Sequence, residues 1–276
     1  MPMKRQYPFI LAILLIQLTA CEHDISYDYP SLEGQLINIE GRVTNEGAFV
    51  RITQTQPMTA SPQYLAIENA DVWIETDGGT TEKFHYIDSC KMYLPKKEFT
   101  GEPGHTYTLH VIANGQAYEG KSTMPPPAPV TETKFRWLDI RYERILHYDL
   151  IAIDPQPDTL NYYWYRMLRG NQVYRWNAID DRGCPTGFFV RDIICMAEGM
   201  KNAQDYQDRV LNDGDTINLE LLTIDKPTFD YLQSLLTSRQ TTANPITNLK
   251  GGCLGFFTAA SITHGISTIW DDSLSE

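Results

Sequence analysis

The sequence contains no apolar run long enough to cross a bilayer as a helix. Such a span takes about 20 consecutive apolar residues, and the stretch from Phe9 to Ile16 is much shorter. Basic residues are scarce. Lys and Arg total 23 against 35 Asp and Glu, a formal net charge of −12. That balance argues against a nucleic-acid binder, which needs a basic stripe to replace the counterions on phosphate. Catalytic signatures are missing as well. There is no Gly-x-Ser-x-Gly elbow, no His-Glu-x-x-His zinc helix and no glycine-rich phosphate loop. The six histidines, at positions 23, 85, 105, 110, 147 and 264, do not cluster along the chain. The expectation is a non-catalytic protein with no metal and no cofactor.

What is present is a globular composition, 42% hydrophobic and 21% charged, which excludes a mainly disordered chain. A length of 276 residues accommodates one large or two ordinary domains. Lys4 and Arg5, the apolar stretch after them, and Leu18-Thr19-Ala20 before Cys21 fit a secretory signal peptide over residues 1–20. Residues 21–34 are polar and read as a tether. Removal of the signal would take away Lys4 and Arg5 and no acid, so the remaining chain would be more acidic still.

From Leu36 the pattern alternates. Ile37, Ile39, Gly41 and Val43 share one face of an extended segment. Asp71–Thr76 and Thr80–Tyr86 flank Asp77-Gly78-Gly79, and two further alternating segments flank Asn114-Gly115, the strongest hairpin signal in the chain. These features predict an immunoglobulin-like β-sandwich over residues 35–124. Pro125-Pro126-Pro127 lacks ladder donors, cannot sit inside a sheet, and predicts a linker at 125–130. A proline-rich loop inside one larger domain is the alternative. Residues 131–276 are again strand-rich and predict a second antiparallel β domain, sandwich or barrel. One helix is expected near 226–238, with Asp225 as its cap, Pro227 in its first turn and Phe229, Leu232, Leu235 and Leu236 as its apolar stripe. The fold class is therefore mainly β with one short helix.

Four cysteines follow Cys21. Cys184 and Cys195 are the nearest pair and could close a loop as a disulfide; buried free thiols are the alternative. Asp180-Asp181 and Asn212-Asp213-Gly214-Asp215 hold oxygen ligands suited to calcium but lack the full loop spacing, and they read as turns. The aromatic run Tyr162-Tyr163-Trp164-Tyr165, with Tyr174 and Trp176 on the next strand, presents rings to two faces. Tyr162, Trp164, Tyr174 and Trp176 are the candidates for contact with a ligand or partner; burial of both faces between sheet and helix is the competing reading.

Cys21, placed after Ala20 and three positions beyond Leu18, resembles a bacterial lipobox. The resemblance implies a diacylglycerol on the Cys21 sulfur. The acidic Glu22-His23-Asp24 that follows resembles the surface-export signal of Bacteroidota lipoproteins. Further motifs stand in a fixed order: Ile-Glu-Gly-Arg-Val-Thr at 39–44, Asn-Ala-Asp-Val-Trp-Ile at 69–74, Pro-Gly-His-Thr-Tyr-Thr-Leu-His-Val at 103–111, Tyr118 before Ser122-Thr123-Met124-Pro125, and Asn-Pro-Ile at 244–246 with Asn248 and Gly-Gly-Cys-Leu-Gly-Phe-Phe at 251–257. Together they resemble an uncharacterised family of Bacteroidota outer-membrane lipoproteins commonly encoded beside TonB-dependent receptors. The resemblance implies an outer-membrane, outward-facing accessory of nutrient uptake, with a TonB-dependent receptor as partner. It carries over no catalytic residue. A structural or adhesive envelope protein without a small-molecule ligand is the alternative.

Overall fold

The computed structural model describes residues 36–56, 65–238 and 243–274. The expected signal peptide, Cys21 and the tether lie outside them. From Gln35 onward the chain forms one compact unit. Among the described residues its regular structure is mostly strand, and no helix is long and apolar enough to cross a membrane.

The first core is built by hairpins. β1 (Ile37–Thr44) pairs with β2 (Gly47–Gln54), β3 (Asp71–Thr76) with β4 (Thr81–Ile87), and β5 (Met92–Pro95) joins β4 to β2. β6 (Thr106–Ala113) pairs with β3 and with β7 (Gln116–Thr123). The β6–β7 turn has φ of 53° at Asn114 and 77° at Gly115. Two positive φ values match the right-handed twist of the flanking strands, and Asn-Gly supplies them at low cost. Alternate residues point inward: Ile39, Val43, Ile52, Ile74 and Leu109 are all buried.

The second core lies between two sheets. β8 (Val130–Ile140), β9 (Glu143–Ile153) and β12 (Phe188–Ala197) form a separate three-stranded sheet in the order β12-β9-β8. Leu146, Tyr148 and Leu150 of β9 share a core with Tyr163 and Met167 of β10 (Tyr162–Arg169) and with Leu219 and Leu221 of β13 (Thr216–Ile224). β11 (Gln172–Asp180) is the far edge beyond β10. Two unconnected sheets face to face make the second half a sandwich and not a barrel.

The proline run marks the change from one core to the other without separating two bodies. Met124 is buried in the first core and Ala128 in the second. Prolines have no N–H to donate, but carbonyls in this segment still accept. Ser261 Oγ donates to Pro125 O, Thr263 Oγ1 to Ala128 O at 2.7 Å, and Ile153 N to Pro129 O at 2.9 Å. The segment is docked, as in the alternative of a proline-rich loop inside one larger domain, where a semi-rigid linker between two domains was expected. Nor is the second half a contiguous domain beginning at 131. β14 (Leu249–Lys250) pairs with β7, and β15 (Leu254–His264) runs parallel to β1 through residues 254–260 before pairing antiparallel to β13. β15 thereby fuses the two halves into one sheet of 13 strands, the last of which, β16 (Thr268–Ile269), pairs with β13.

The helix α1 (Lys226–Ser238) lies where the sequence predicts it. Asp225 caps it, accepting from Thr228 N at 3.0 Å. Phe229, Leu232 and Leu235 face the sheet as expected, together with Tyr231 and Thr228. The helix covers the outer face of β10, β13 and β15 over Trp164, Leu222, Ile224, Phe256 and Ala260. β10 and β13 are consequently buried on both faces.

Gly255 marks the tightest point of the β1–β15 pairing. Its φ is +96°, and a Cβ there would collide with the backbone of Ile39. Gly255→Ala is expected to cost roughly 2–4 kcal/mol through the combined clash and left-handed strain. Gly78→Ala, in open space, should stay within about 0.5 kcal/mol of the parent. Urea unfolding of the two variants checks the contrast; equal stabilities would overturn this account of the β1–β15 seat.

Candidate functional site

A groove of about 610 Å³ opens on the first sandwich, beside β3, β4 and the end of β6. Its size lies in the range of small-ligand pockets. Strand alternation builds it. Val72, Ile74 and Phe84 point into the core, so Trp73 of β3 and Lys83 and His85 of β4 point out. Trp73 lies opposite His110 of β6, and the two rings stack at 4.9 Å with an interplanar angle of 11°. Trp73 Nε1 donates to Glu75 Oε1 at 3.2 Å. Glu75 Oε2 is also 3.4 Å from His110 Nε2. The indole is thus held on one face and at its nitrogen, as a fixed platform.

The groove's far wall is pinned from the core. The Tyr93 hydroxyl donates to Ile67 O at 2.7 Å and accepts from Ala70 N at 2.9 Å, fixing the segment that leads into β3. Tyr86 meets Tyr93 edge-on at 5.4 Å and lies within 3.4 Å of Glu68. Burial pushes the Tyr93 phenol above its ordinary pKa; burial, followed by the nearby Glu68 charge, does the same for Tyr86. Both therefore stay protonated at neutral pH, as hydroxyl donors. Glu68 and Asp71 supply carboxylates, and Lys83 supplies a cation. This is a stacking surface edged by donors and acceptors of both signs. Its lining includes no serine or cysteine nucleophile.

The histidines do not converge. His105 meets Asp77 at 2.8 Å, His264 meets Glu46 at 2.6 Å, and His147 hydrogen-bonds Asp192, each at a different place. Among the described residues, no three His, Cys, Asp or Glu side chains gather as metal ligands. The two acidic runs build turns. Asp181 accepts from Asn161 Nδ2 at 2.9 Å, Asp180 binds Arg182, and Asp215 accepts from Asn212 N.

The aromatic residues singled out in the sequence are mostly packing. Tyr162 lies 4.8 Å from the Phe229 ring of α1, and Trp164, only 8% exposed, meets Phe256 and Trp176 edge-on. Tyr162, Trp164 and Trp176 lie in the layer beneath the helix, which corrects the expectation that these three meet a ligand. Tyr174 alone lines a cavity, away from the groove. The groove residues were missed, although β3 carried the signal. In Asp71-Val72-Trp73-Ile74-Glu75, the core positions of Val72 and Ile74 force a tryptophan outward between two acids.

Residues 22–265 match the family described as Domain of unknown function (DUF4249). The chain belongs to this family. No curated protein matches it. Among solved structures, a two-domain fibronectin type-III segment from chicken tenascin is similar over 86% of this chain and 100% of its own, at 9% identity and a TM-score of 0.23. That score is too low for any inference about fold or function. Two residues near the C-terminal end of the matched range have clear structural roles here: Gly255 admits the backbone of β1, and the Asn248 side chain brackets Phe257, donating to its carbonyl at 2.7 Å and accepting from its N–H at 2.9 Å.

Of the two alternatives for Cys184 and Cys195, the disulfide is not formed; both are free thiols, as are Cys90 and Cys253. Cys184 lies against Val190, with Sγ 3.5 Å from its N and O. Cys195 is five residues further along β12, about 16 Å in an extended chain. A disulfide takes Cα atoms about 4.4–6.8 Å apart. Burial pushes the Cys195 thiol up to about 12 and Cys253 up to about 11. Alkylation of the native protein at pH 8 should therefore modify partly exposed Cys90 first and leave Cys195 untouched, while denatured, unreduced protein should be labelled at all four. Mass spectrometry of the peptides reads the result; a 184–195 crosslinked peptide would refute the free-thiol arrangement.

Proposed function

We propose that this protein is a lipid-anchored outer-membrane lipoprotein, facing the cell exterior, that serves a TonB-dependent uptake system as a non-catalytic ligand-binding accessory. The single observation that carries the ligand-binding part is the Trp73 groove: concave, aromatic, edged by hydroxyls and charges, and held rigid from the core. Such a site suits a ligand with one flat apolar face and a polar edge, because the ring takes the face and the rim takes the edge. The anchoring part rests on Cys21 and its flanking residues, and the uptake context on the family resemblance of the motifs. Cys21 would hold the protein through acyl chains, each buried CH₂ contributing about 0.8 kcal/mol.

A second reading, a structural or adhesive envelope protein, is favoured by one feature. The outer face of the β12-β9-β8 sheet exposes Ile153, Phe188 and Ile194, the last at 60%. Phe188 and Ile153 lie side by side, and Ile194 lies beyond the Asp149 and Asp192 positions of the same face; exposed apolar side chains bordered by charges suit a protein partner more than a small molecule.

Gentle detergent extraction of the tagged, lipidated protein from its own membrane, followed by mass spectrometry, separates the readings. The expected result is a TonB-dependent barrel in stoichiometric amount. Recovery of the protein alone, even after crosslinking, would overturn the stable-partner proposal. Cys21→Ala should release the protein from the membrane fraction. Trp73→Ala should leave the anchor and the barrel association intact while weakening ligand affinity up to about tenfold, the loss of an aromatic stacking contact worth up to about 1.4 kcal/mol, and so slowing nutrient-limited growth where uptake depends on the groove. Unchanged growth on every nutrient that the deletion strain fails to import would remove the groove from the proposal.

A further inference from the structure

A second cavity, of about 290 Å³, lies on the other half of the molecule, between the β10–β11 hairpin and the 3-10 segment Gln204–Arg209. Three arginines line it: Arg169 at the end of β10, Arg175 on β11, and Arg209. The chain has a net charge of −12, and several of its arginines, Arg51, Arg136, Arg144, Arg166 and Arg182, are paired with carboxylates. The three cavity arginines do not. Among the described residues, no carboxylate lies in ion-pair contact with any of them. Asp208 also lines the cavity, so its lining carries a formal charge of +2.

Neutral groups set the positions of Arg169 and Arg175, while Arg209 is exposed at the rim with its guanidinium 5.7 Å from the Tyr206 ring. Arg169 Nη1 donates to Val210 O at 2.8 Å, while Arg175 donates to Tyr174 O and Cys195 O. The Tyr174 hydroxyl lies 2.8 Å from both Cys195 O and Arg209 O, which fixes its ring. The Arg175 guanidinium sits 4.2 Å from the centre of that ring and that of Arg169 5.8 Å. Carbonyls and a π-face orient a guanidinium without neutralising it, and each guanidinium keeps donors to spare among its five N–H groups. Fixed, uncompensated guanidiniums at one cavity are the arrangement that recognises oxyanions.

We propose that this cavity is an oxyanion site for a phosphate group, with Arg169, Arg175 and Arg209 as its donors and Tyr174 as the platform that orders the first two. The charge selects the class: phosphate carries about −1.5 to −2 at neutral pH, matching the lining, whereas a carboxylate carries only −1. The site is independent of the Trp73 groove and of the partner proposed above.

Isothermal titration of the full chain in non-ionic detergent tests it, with inorganic phosphate, glycerol 3-phosphate and acetate as probes. Saturable binding of phosphate or of the monoester, about tenfold or more tighter than acetate, is expected. Preference for the monoester would point to the phosphate of a larger molecule, and equal binding to the free ion; either supports the site. Arg209→Glu reverses one exposed charge and should weaken phosphate by about tenfold or more with an unchanged melting temperature. Asp208→Asn removes the opposing charge and should tighten it severalfold, a gain that misfolding cannot imitate. Absence of phosphate binding at millimolar concentration, acetate binding as tight as phosphate, or identical affinities in parent, Arg209→Glu and Asp208→Asn would each overturn the proposal.

Discussion

The parallel pairing of β1 with β15 is the constraint on which the rest of the molecule depends. It joins strands from nearly opposite ends of the described chain, Asn38 lying opposite Leu254 and Thr44 opposite Ala260, and it leaves part of each edge of β15 without a strand partner. Buried backbone groups of that kind are costly if unpaired. Side chains fill the gaps. Asn45 donates to Ile262 O and accepts from Ile262 N; Asn248 does the same for Phe257; Ser122 Oγ accepts from Ala259 N at 2.8 Å. Ser122 in turn donates to Asp225, the helix cap, at 2.7 Å. One strand therefore ties the first sandwich, the second sandwich and α1 together.

That junction also explains a buried cation. Arg42 of β1 is 9% exposed and lies between the rings of Phe49 and Trp164, at 5.4 and 4.7 Å. Burial, reinforced by Arg166, lowers its pKa to about 10, so it remains charged at neutral pH. Around it the Arg51–Glu40 and Arg166–Glu220 pairs stand at 3.1 and 2.6 Å. The aromatic run at 162–165 is consumed here and in the second core, whereas half-buried Trp73 lies on a sheet face that no helix covers.

Much of the fold was legible because its local rules are strong. Alternation at 37–43, the Asn114-Gly115 turn and the Asp225 cap each describe interactions within a few residues. The groove was only half legible: alternation around Val72 and Ile74 turns Trp73 outward, but nothing local says that His110, 37 positions on in the chain's numbering, will lie under it. The Cys184–Cys195 pairing failed for the converse reason. Closeness in sequence suggested a loop, whereas the intervening residues enter an extended strand that carries the two sulfurs apart.

By itself the sequence determined the hairpin strands of the first half and their turns, several strands of the second half, the helix and its cap, the mainly β class and the family, since each is written in short-range patterns or in the order of motifs; it did not reveal β8 or β12. Tertiary structure alone decided that the last long strand returns to the first, that the proline run is docked, and which aromatics are buried. It also decided which arginines remain without carboxylates. Those outcomes depend on contacts between residues far apart in the chain, formed only when β15 inserts between β1 and β13, and no local pattern encodes a partner that folding brings from the other end of the molecule.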